Sequence, residues 1–219
     1  MAAKKYGLSA LNALRGDLRV DVGDPSALTA WAADTAYAVG DYRRPSTPNG
    51  WAYKCIKISG DNKSHATTEP TWPTTKDETV ADDAIVWQAY SKGVVALLVE
   101  SAYTPNQDTH NDLADITNEC ADASYARKYC STSGGLTSIG AYGTTGGYAT
   151  STNVTTLDFA DVVWTTLTEE FDTVVFAVDY GTDATSPLIA YDEIGSQAPS
   201  GVNFTYKVNA SGIVSITTA

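Results

Sequence analysis

Apolar and polar residues alternate over short intervals in the C-terminal half of the chain. Stretches rich in Val, Ile and Thr are separated by turn signals near Tyr180, Ala198 and Asn209, which is typical of short antiparallel strands. The pattern predicts strands over Val162–Thr166, Thr173–Asp179, Pro187–Asp192, Asn203–Val208 and Gly212–Thr217. The last two show the near-alternation of a sheet with one solvated face.

A continuous apolar run, Val94–Val99, differs from this alternation. Gly93 precedes it and Thr104-Pro105 follow it, so the run predicts a strand buried on both faces at the centre of a main domain. Near the N-terminus, leucines at helical spacing predict one short amphipathic helix between Lys5 and Leu18. The Gly-Asp-Pro sequence at 23–25 ends this helix.

Aromatic residues are concentrated between Trp31 and Tyr90, where four of the five tryptophans lie. In a segment of this length, a core must be built from a few large side chains. The segment predicts a small aromatic-rich β module, residues 25–91, inserted into a main β domain formed by residues 1–24 and 92–219. The fold class is mainly β, and the many short strands predict an antiparallel β-sandwich or jelly-roll-like main domain.

The stretch from Cys130 to Asn153 consists largely of Gly, Ser, Thr and Tyr. It holds too little apolar surface to bury itself, so we expect an extended loop or arm. Arms of this composition often become ordered against a neighbouring subunit, and we therefore expect a homo-oligomer.

The chain carries a formal net charge of −12 with only 14 Lys and Arg residues. Nucleic-acid binding depends on clustered cations that displace counterions. Because the sequence has no basic run, we expect no nucleic-acid partner. The N-terminal residues lack the apolar stretch of a signal peptide, and no window reaches the length of a membrane span. We therefore expect no membrane association and a protein made in a cytoplasm.

Three cysteines, Cys55, Cys120 and Cys130, cannot all pair within one chain. They form no CxxC pair, and His65 and His110 lie in polar loops, so we expect no zinc site, no other metal and no cofactor. The last two cysteines flank a polar stretch and could meet across a hairpin. The pattern favours a pair of buried thiols instead.

Catalytic residues are not expected. With two histidines and no G-x-S-x-G sequence, the chain offers no basis for a serine triad. His110 lies among Asn, Asp and Thr residues, which favours a turn role. The acidic pairs Asp82-Asp83 and Glu169-Glu170 are expected to face solvent, as paired carboxylates in so acidic a chain usually do. Adjacent strand residues also point to opposite faces, so the two members of a pair are not expected to act together in glycoside hydrolysis. The chain is predicted not to be an enzyme.

The aromatic segment carries a recognisable order of residues: Ala30-Trp31, Thr35–Asp41, Tyr53–Cys55, Glu69-Pro70 and Val86–Gln88. This order resembles the small chitin- or cellulose-binding modules appended to bacterial glycosidases. The resemblance implies sugar binding on exposed aromatic rings. In such modules, aromatics follow the strand that carries Tyr53, whereas Ile56, Lys57 and Ile58 occupy that place here, so the sugar platform is expected to be incomplete.

Trp51 and Trp72 lie in Gly- and Pro-rich surroundings, and they are the candidates for exposed stacking residues. Tyr53 completes the candidate carbohydrate-binding set. Trp31 and Trp87 are expected in the core of the module. A sugar-binding module and a purely structural one use the same residues, so both alternatives stay open.

The remaining chain carries a second resemblance, through Tyr6–Leu11, Val94–Val99, Ser101–Pro105, His110–Leu113, Asp161–Trp164, Pro187–Tyr191 and Asn209–Ile213. In this order the segments resemble structural proteins of tailed-bacteriophage particles, which begin with a short helix and continue into a strand of this kind. The resemblance covers most of the chain outside the aromatic segment. It implies a virion component.

Two hypotheses of different classes follow. In the first, the chain is a capsid decoration or cement protein that docks on other virion proteins, either the major capsid protein or neck and tail proteins, and displays the module. In the second, it is a fibre or receptor-binding protein whose module binds host surface polysaccharide. Both place the protein in the virion, assembled in the host cytoplasm.

Overall fold

The computed structural model describes residues 4–6, 19, 22–130, 148–149, 154–157, 159–208 and 214–217. Over these residues the chain is mainly β, and its strands pair in antiparallel fashion. The described helices are short 3₁₀ helices, Pro25–Ala27, Leu113–Asp115 and Asp183–Thr185. The strands are β1 Lys4–Lys5, β2 Tyr42–Arg43, β3 Ala52–Ile58, β4 Thr79–Asp82, β5 Ile85–Ser91, β6 Val94–Val99, β7 Lys128–Tyr129, β8 Tyr148–Ala149, β9 Val154–Leu157, β10 Val162–Leu167, β11 Phe171–Val178, β12 Leu188–Gln197, β13 Val202–Tyr206 and β14 Val214–Thr217.

A five-stranded sheet has the strand order β1-β12-β11-β6-β7. β6 is buried along its whole length, which confirms the strand predicted from the apolar run. Its alternate residues enter two different apolar cores: Val94, Ala96 and Leu98 enter one, and Val95, Leu97 and Val99 enter the other. The sheet is therefore covered on both faces. The predicted central position is wrong, because β11 lies at the centre and β6 lies between it and β7.

The alternating C-terminal pattern is confirmed by β10, β11, β12 and β13, each within a few residues of its predicted range. β10 pairs with β13, and this pair contributes Trp164 and Tyr206 to the first of the two cores. β14, β9 and β8 form a further sheet. The finer sandwich or jelly-roll arrangement stays a prediction.

Some predictions lie outside the described residues. The proposed helix falls mainly on residues 7–18, and its first residue, Lys5, belongs to β1, which pairs with β12. Most of the arm predicted from Cys130 to Asn153 also falls outside. Within that range the structure describes the buried Cys130 and the short strand β8.

Residues 25–91 contain a four-stranded sheet of their own, with the order β2-β3-β5-β4. In the described part of the chain, this sheet shares no strand with the five-stranded sheet. Buried aromatic residues cover it and form a separate apolar cluster. The division into a main domain and an inserted module stays a prediction.

The segment 25–91 begins and ends at one place on the five-stranded sheet. Val94 N donates to Gly23 O at 2.9 Å, so the chain before the segment contacts the chain after it. Gly93 has φ +99°, and a Cβ added there would lie 1.8 Å from Gly23 O. Further ties join Lys92 N to Asp179 O and Asp179 N to Gly93 O, both at 2.8 Å. The segment is thus held against the turn that follows β11.

Candidate functional site

Trp87 lies at the centre of the aromatic cluster in residues 25–91. It is fully buried, as predicted, because it lies on β5 between two neighbouring strands and alternates inward with Ile85 and Ala89. The Tyr37 ring meets it edge-on, with centroids 4.9 Å apart, and the Trp72 ring meets it at 5.9 Å. Edge-to-face pairs of this kind are favourable beyond their buried area.

Asp82 holds the indole rings of this cluster in place. Its Oδ2 accepts hydrogen bonds from Trp31 Nε1 at 2.8 Å and Trp87 Nε1 at 2.9 Å. Its Oδ1 accepts from the His65 amide at 2.9 Å. The carboxylate is only 3% exposed, so the prediction that both members of the Asp82-Asp83 pair face solvent is wrong for Asp82. The three donors satisfy the buried charge.

Trp51 does not lie on an exposed platform. It is only 3% exposed, and the edge of its ring lies against Gly181, where an added Cβ would be 2.9 Å from Trp51 Cζ2. The predicted exposure is therefore wrong, because the ring fills the junction between residues 25–91 and the turn after β11. The Gly- and Pro-rich sequence around Trp51 belongs to a place where residues 25–91 approach the turn after β11 closely, and not to a solvent-facing loop.

Tyr53 is also buried, with no exposed surface. Its hydroxyl donates to Pro73 O and accepts from Asn49 Nδ2, both at 2.7 Å. Burial raises the pKa of this phenol to about 12. Tyr53 therefore has no exposed surface with which to bind a ligand directly. Its role is to pack against Trp72, with the two ring centroids 4.3 Å apart.

Trp72 differs from the other two candidates, because it lines an open groove on the surface. The groove has a volume of about 410 Å³. Its other lining residues are mostly hydroxyl-bearing, amide or proline residues: Pro45, Ser46, Thr47, Asn49, Glu69, Pro70 and Thr71. We call this the Trp72 groove. Tyr53 and Trp87 pack against the ring from the core, so the ring is held in one position.

Glu69 fixes the orientation of the indole. Its Oε1 accepts from Trp72 Nε1 at 2.8 Å and from the Ser46 amide at 2.8 Å, and its Oε2 accepts from Ser46 Oγ. Burial acts to raise the pKa of Glu69, but hydrogen bonds from Ser46 and Trp72 outweigh it and hold the pKa below its usual value. The carboxylate stays ionised and keeps the ring fixed at neutral pH.

The Trp72 groove combines an aromatic ring with hydroxyl and amide groups. A rigid indole offers an apolar face for stacking, and the surrounding hydroxyl and amide groups offer hydrogen-bond donors and acceptors. Sequence reasoning identified Trp72 but not Ser46, Asn49 or Glu69 as its partners. The Glu69-Pro70-Thr71-Trp72 sequence was the available signal, because it sets the carboxylate three residues before the indole.

Ile56 and Ile58 lie where the resembled modules carry aromatics. They are 39% and 37% exposed, so this surface is accessible and is built from aliphatic side chains. The incompleteness of a sugar platform at this position stays a prediction.

The pair of buried thiols that the sequence favoured is confirmed, and His110 takes the predicted place in a turn. Cys120 and Cys130 are buried free thiols, as is Cys55. Burial raises the pKa of all three thiols above the usual value, which makes them poor nucleophiles. His110 Nδ1 lies 2.9 Å from Tyr103 Oη and closes a turn.

Two further features are absent from the described residues. No group of three or more His, Cys, Asp or Glu side chains is placed to hold a metal ion in that part of the chain. No helix in the same part is long and apolar enough to cross a membrane.

Over the described residues, the protein is mainly β and antiparallel, and it carries a surface groove lined by Trp72. No family model matches the chain, and comparisons with curated proteins and with solved structures give no significant match.

Proposed function

We propose that the chain is a structural component of a tailed-bacteriophage particle, a capsid decoration or cement protein. The main domain, a β-sandwich or jelly-roll-like body, docks on the head, and residues 25–91 are displayed on it. The proposal draws on the resemblance of Val94–Val99, Asp161–Trp164 and Pro187–Tyr191 to virion proteins. These segments coincide with β6, with the start of β10 and with the start of β12.

The observation that carries the proposal is the arrangement of two sheets around one junction. Residues 25–91 have their own sheet and aromatic cluster. They are tied to the five-stranded sheet through Gly23, Gly93 and Asp179. In a capsid decoration protein, the main domain would dock on the head and would hold residues 25–91 outward in a fixed orientation. The two sheets and their junction suit this role.

The test is to locate the chain in purified particles of the phage that encodes it. Mass spectrometry should find it in a fixed ratio to the major capsid protein, and a density map should show it repeated on the head as an oligomer. Particles that are complete and infectious but contain no copy of the chain would contradict the proposal.

A second candidate function is recognition of host surface polysaccharide by a fibre or receptor-binding protein. The Trp72 groove favours it, because Trp72 combines a fixed ring with surrounding hydroxyl and amide groups. The binding residues would then be Trp72, Ser46, Asn49 and Thr71, with Tyr53 as support. Trp51 would contribute only by holding the junction.

Substitution in the groove tests this second function. On a glycan array and by calorimetry, Trp72→Ala should weaken polysaccharide binding about tenfold or more, since stacking area is lost. Trp72→Phe should retain part of the binding. Ile56→Ala is the matched control, because it is exposed in the same segment but does not line the groove. A larger loss in Ile56→Ala than in Trp72→Ala would move the site to the aliphatic surface. No binding at millimolar sugar would remove this function.

A further inference from the structure

A second pocket lies where residues 25–91 meet the five-stranded sheet. It is half-enclosed and has a volume of about 240 Å³. Three separate parts of the chain form it: Asp24, Pro25 and Ser26, then Arg44, Pro48, Gly50 and Trp51, and finally Tyr129 of β7. We call it the junction pocket. It is distinct from the Trp72 groove, with which it shares no lining residue.

The walls of the junction pocket are mainly apolar and are held rigidly. Trp51 is fixed against Gly181, and Pro25 is buried. Tyr129 is 37% exposed, and its hydroxyl donates to Asp179 Oδ2 at 2.6 Å, so its ring is fixed at the edge of the sheet. The pocket therefore accepts one bulky apolar group without rearrangement.

Two opposite charges line the same pocket without neutralising each other. Among the residues that the structure describes, neither Asp24 nor Arg44 forms an ion pair. Arg44 Nη1 donates only to the carbonyls of Pro45 and Ser46, at 3.0 and 3.3 Å. Arg44 Nε is buried without an acceptor. Asp24 accepts the Ser26 amide at 2.8 Å and keeps acceptor capacity.

We propose that the junction pocket binds the C-terminal residue of a polypeptide, with a large apolar side chain and its α-carboxylate on Arg44. The amide N–H of that residue donates to Asp24, and its side chain packs against Trp51 and the prolines. This occupant accounts for both charges, since its carboxylate and its N–H donor are attached to the same α-carbon. Capture of a C-terminal carboxylate is a recurring mode of peptide recognition.

The shape of the pocket favours a polypeptide end over a free amino acid. The volume matches one residue with a large side chain, and the open side leaves a path for the preceding chain. If the pocket were built for a free amino acid, the ammonium would lie at Asp24 and free L-phenylalanine would bind more tightly than its N-acetyl derivative. A site for a chain end binds the N-acetyl derivative at least as tightly, because the acyl group occupies the open side of the pocket. This difference separates the two sources of the same chemistry. The proposal does not depend on the phage assignment.

Titration of small mimics into the full chain tests the proposal, with calorimetry or NMR as the readout. N-acetyl-L-phenylalanine should bind saturably, with a dissociation constant of about 1 mM or lower for a ligand of this size. N-acetyl-L-phenylalanine amide, which lacks the charge, should bind about tenfold more weakly to the unaltered protein. Both ligands are compared on the unaltered protein, so the result cannot be explained by a variant that fails to fold.

Variants assign the two ends of the ligand. Arg44→Gln should weaken binding of the acetylated acid about tenfold, and Asp24→Asn should weaken it to a smaller extent. Arg43→Gln is the matched control, because the Arg43 guanidinium stacks over Tyr37 and does not line the pocket. Thermal melting checks that each variant is folded. Absence of saturation at about 20 mM, equal binding of acid and amide, or tighter binding of free L-phenylalanine would overturn the proposal.

Discussion

At the scale of single residues, Asp82 organises the aromatic cluster of residues 25–91. Removing a carboxylate from water costs several kcal/mol unless donors replace the lost hydration. Two indole N–H groups and one amide meet this requirement. Asp82 thereby fixes the directions of Trp31 and Trp87, and the Trp72 ring packs against Trp87. The shape of the Trp72 groove thus depends on a buried charge that does not touch it.

Replacing Asp82 by Asn should lower the free energy of unfolding by about 2–3 kcal/mol, because one amide oxygen cannot accept from all three donors and its own N–H₂ faces other donors. Urea denaturation at neutral pH measures the change. Asp83→Asn is the control, since Asp83 is exposed and its φ of +52° suits Asn. Equal losses in the two variants would show that the hydrogen bonds of Asp82 contribute nothing specific.

At the scale of elements, the junction between the two sheets depends on close contact of two glycines. Gly93 follows β5 with φ +99°, and its α-carbon faces Gly23 O with no space for a side chain. The same approach aligns Val94 N with Gly23 O and so starts β6. The glycines therefore set both the end of residues 25–91 and the register of the buried strand.

Gly93→Ala should lower the free energy of unfolding by about 4 kcal/mol or more, because the new Cβ would overlap Gly23 O. This oxygen is held in place by its hydrogen bond from Val94 N. Gly40→Ala is a matched control, since Gly40 has the same φ of +99° and no atom within 4 Å. Gly40→Ala should lower the free energy of unfolding by only about 1–2 kcal/mol, the cost of placing a side chain at this unfavourable φ. A similar loss in both variants would mean that the junction relaxes freely.

The strands could be predicted from the sequence, because period-two alternation and the apolar run Val94–Val99 are local signals. The strand at the centre of the sheet could not be predicted, since strand order depends on pairing between segments that are distant in the chain, such as β6 and β11. Burial of Trp51 and Tyr53 was missed for the same reason. Trp51 is covered by Gly181, and the Tyr53 hydroxyl bonds Pro73 O. Composition alone cannot distinguish such contacts from an exposed platform.

At the scale of the whole molecule, negative charge is unevenly distributed. Only three of the 14 Lys and Arg residues follow residue 92, against 15 of the 26 Asp and Glu residues. Some of these carboxylates accept hydrogen bonds within the fold. Asp122 accepts from the amide and hydroxyl of Ser124 at 2.7 and 2.6 Å and from the hydroxyl of Thr168 at 2.7 Å. These bonds hold the pKa of Asp122 well below its usual value.

Stability should therefore fall as the pH is lowered below about 4, the pKa of an unfolded Asp. A carboxyl whose pKa is depressed on folding stabilises the protein fully above its unfolded pKa, and this contribution is lost as the pH approaches the folded value. Relief of charge repulsion acts in the opposite direction, but salt at about 0.15 M screens it. Urea midpoints measured between pH 7 and pH 2 give the slope.

Asp122→Asn should reduce that slope, so that its stability approaches that of the unaltered protein at low pH. Asp108→Asn is the control, because Asp108 lies in an exposed turn, and its curve should run parallel to that of the unaltered protein. An unchanged slope in Asp122→Asn would show that acid sensitivity arises from other carboxyls.

The contact between Gly23 and Val94 has an evolutionary consequence. Because Gly23 O and Val94 N meet in one 2.9 Å hydrogen bond, the two ends of residues 25–91 lie side by side, which is the geometry that insertion of a segment requires. Under the proposed division into a main domain and an inserted module, recombination between related genes can remove or exchange residues 25–91 while the flanking residues stay at bonding distance. One scaffold then carries different surface specificities.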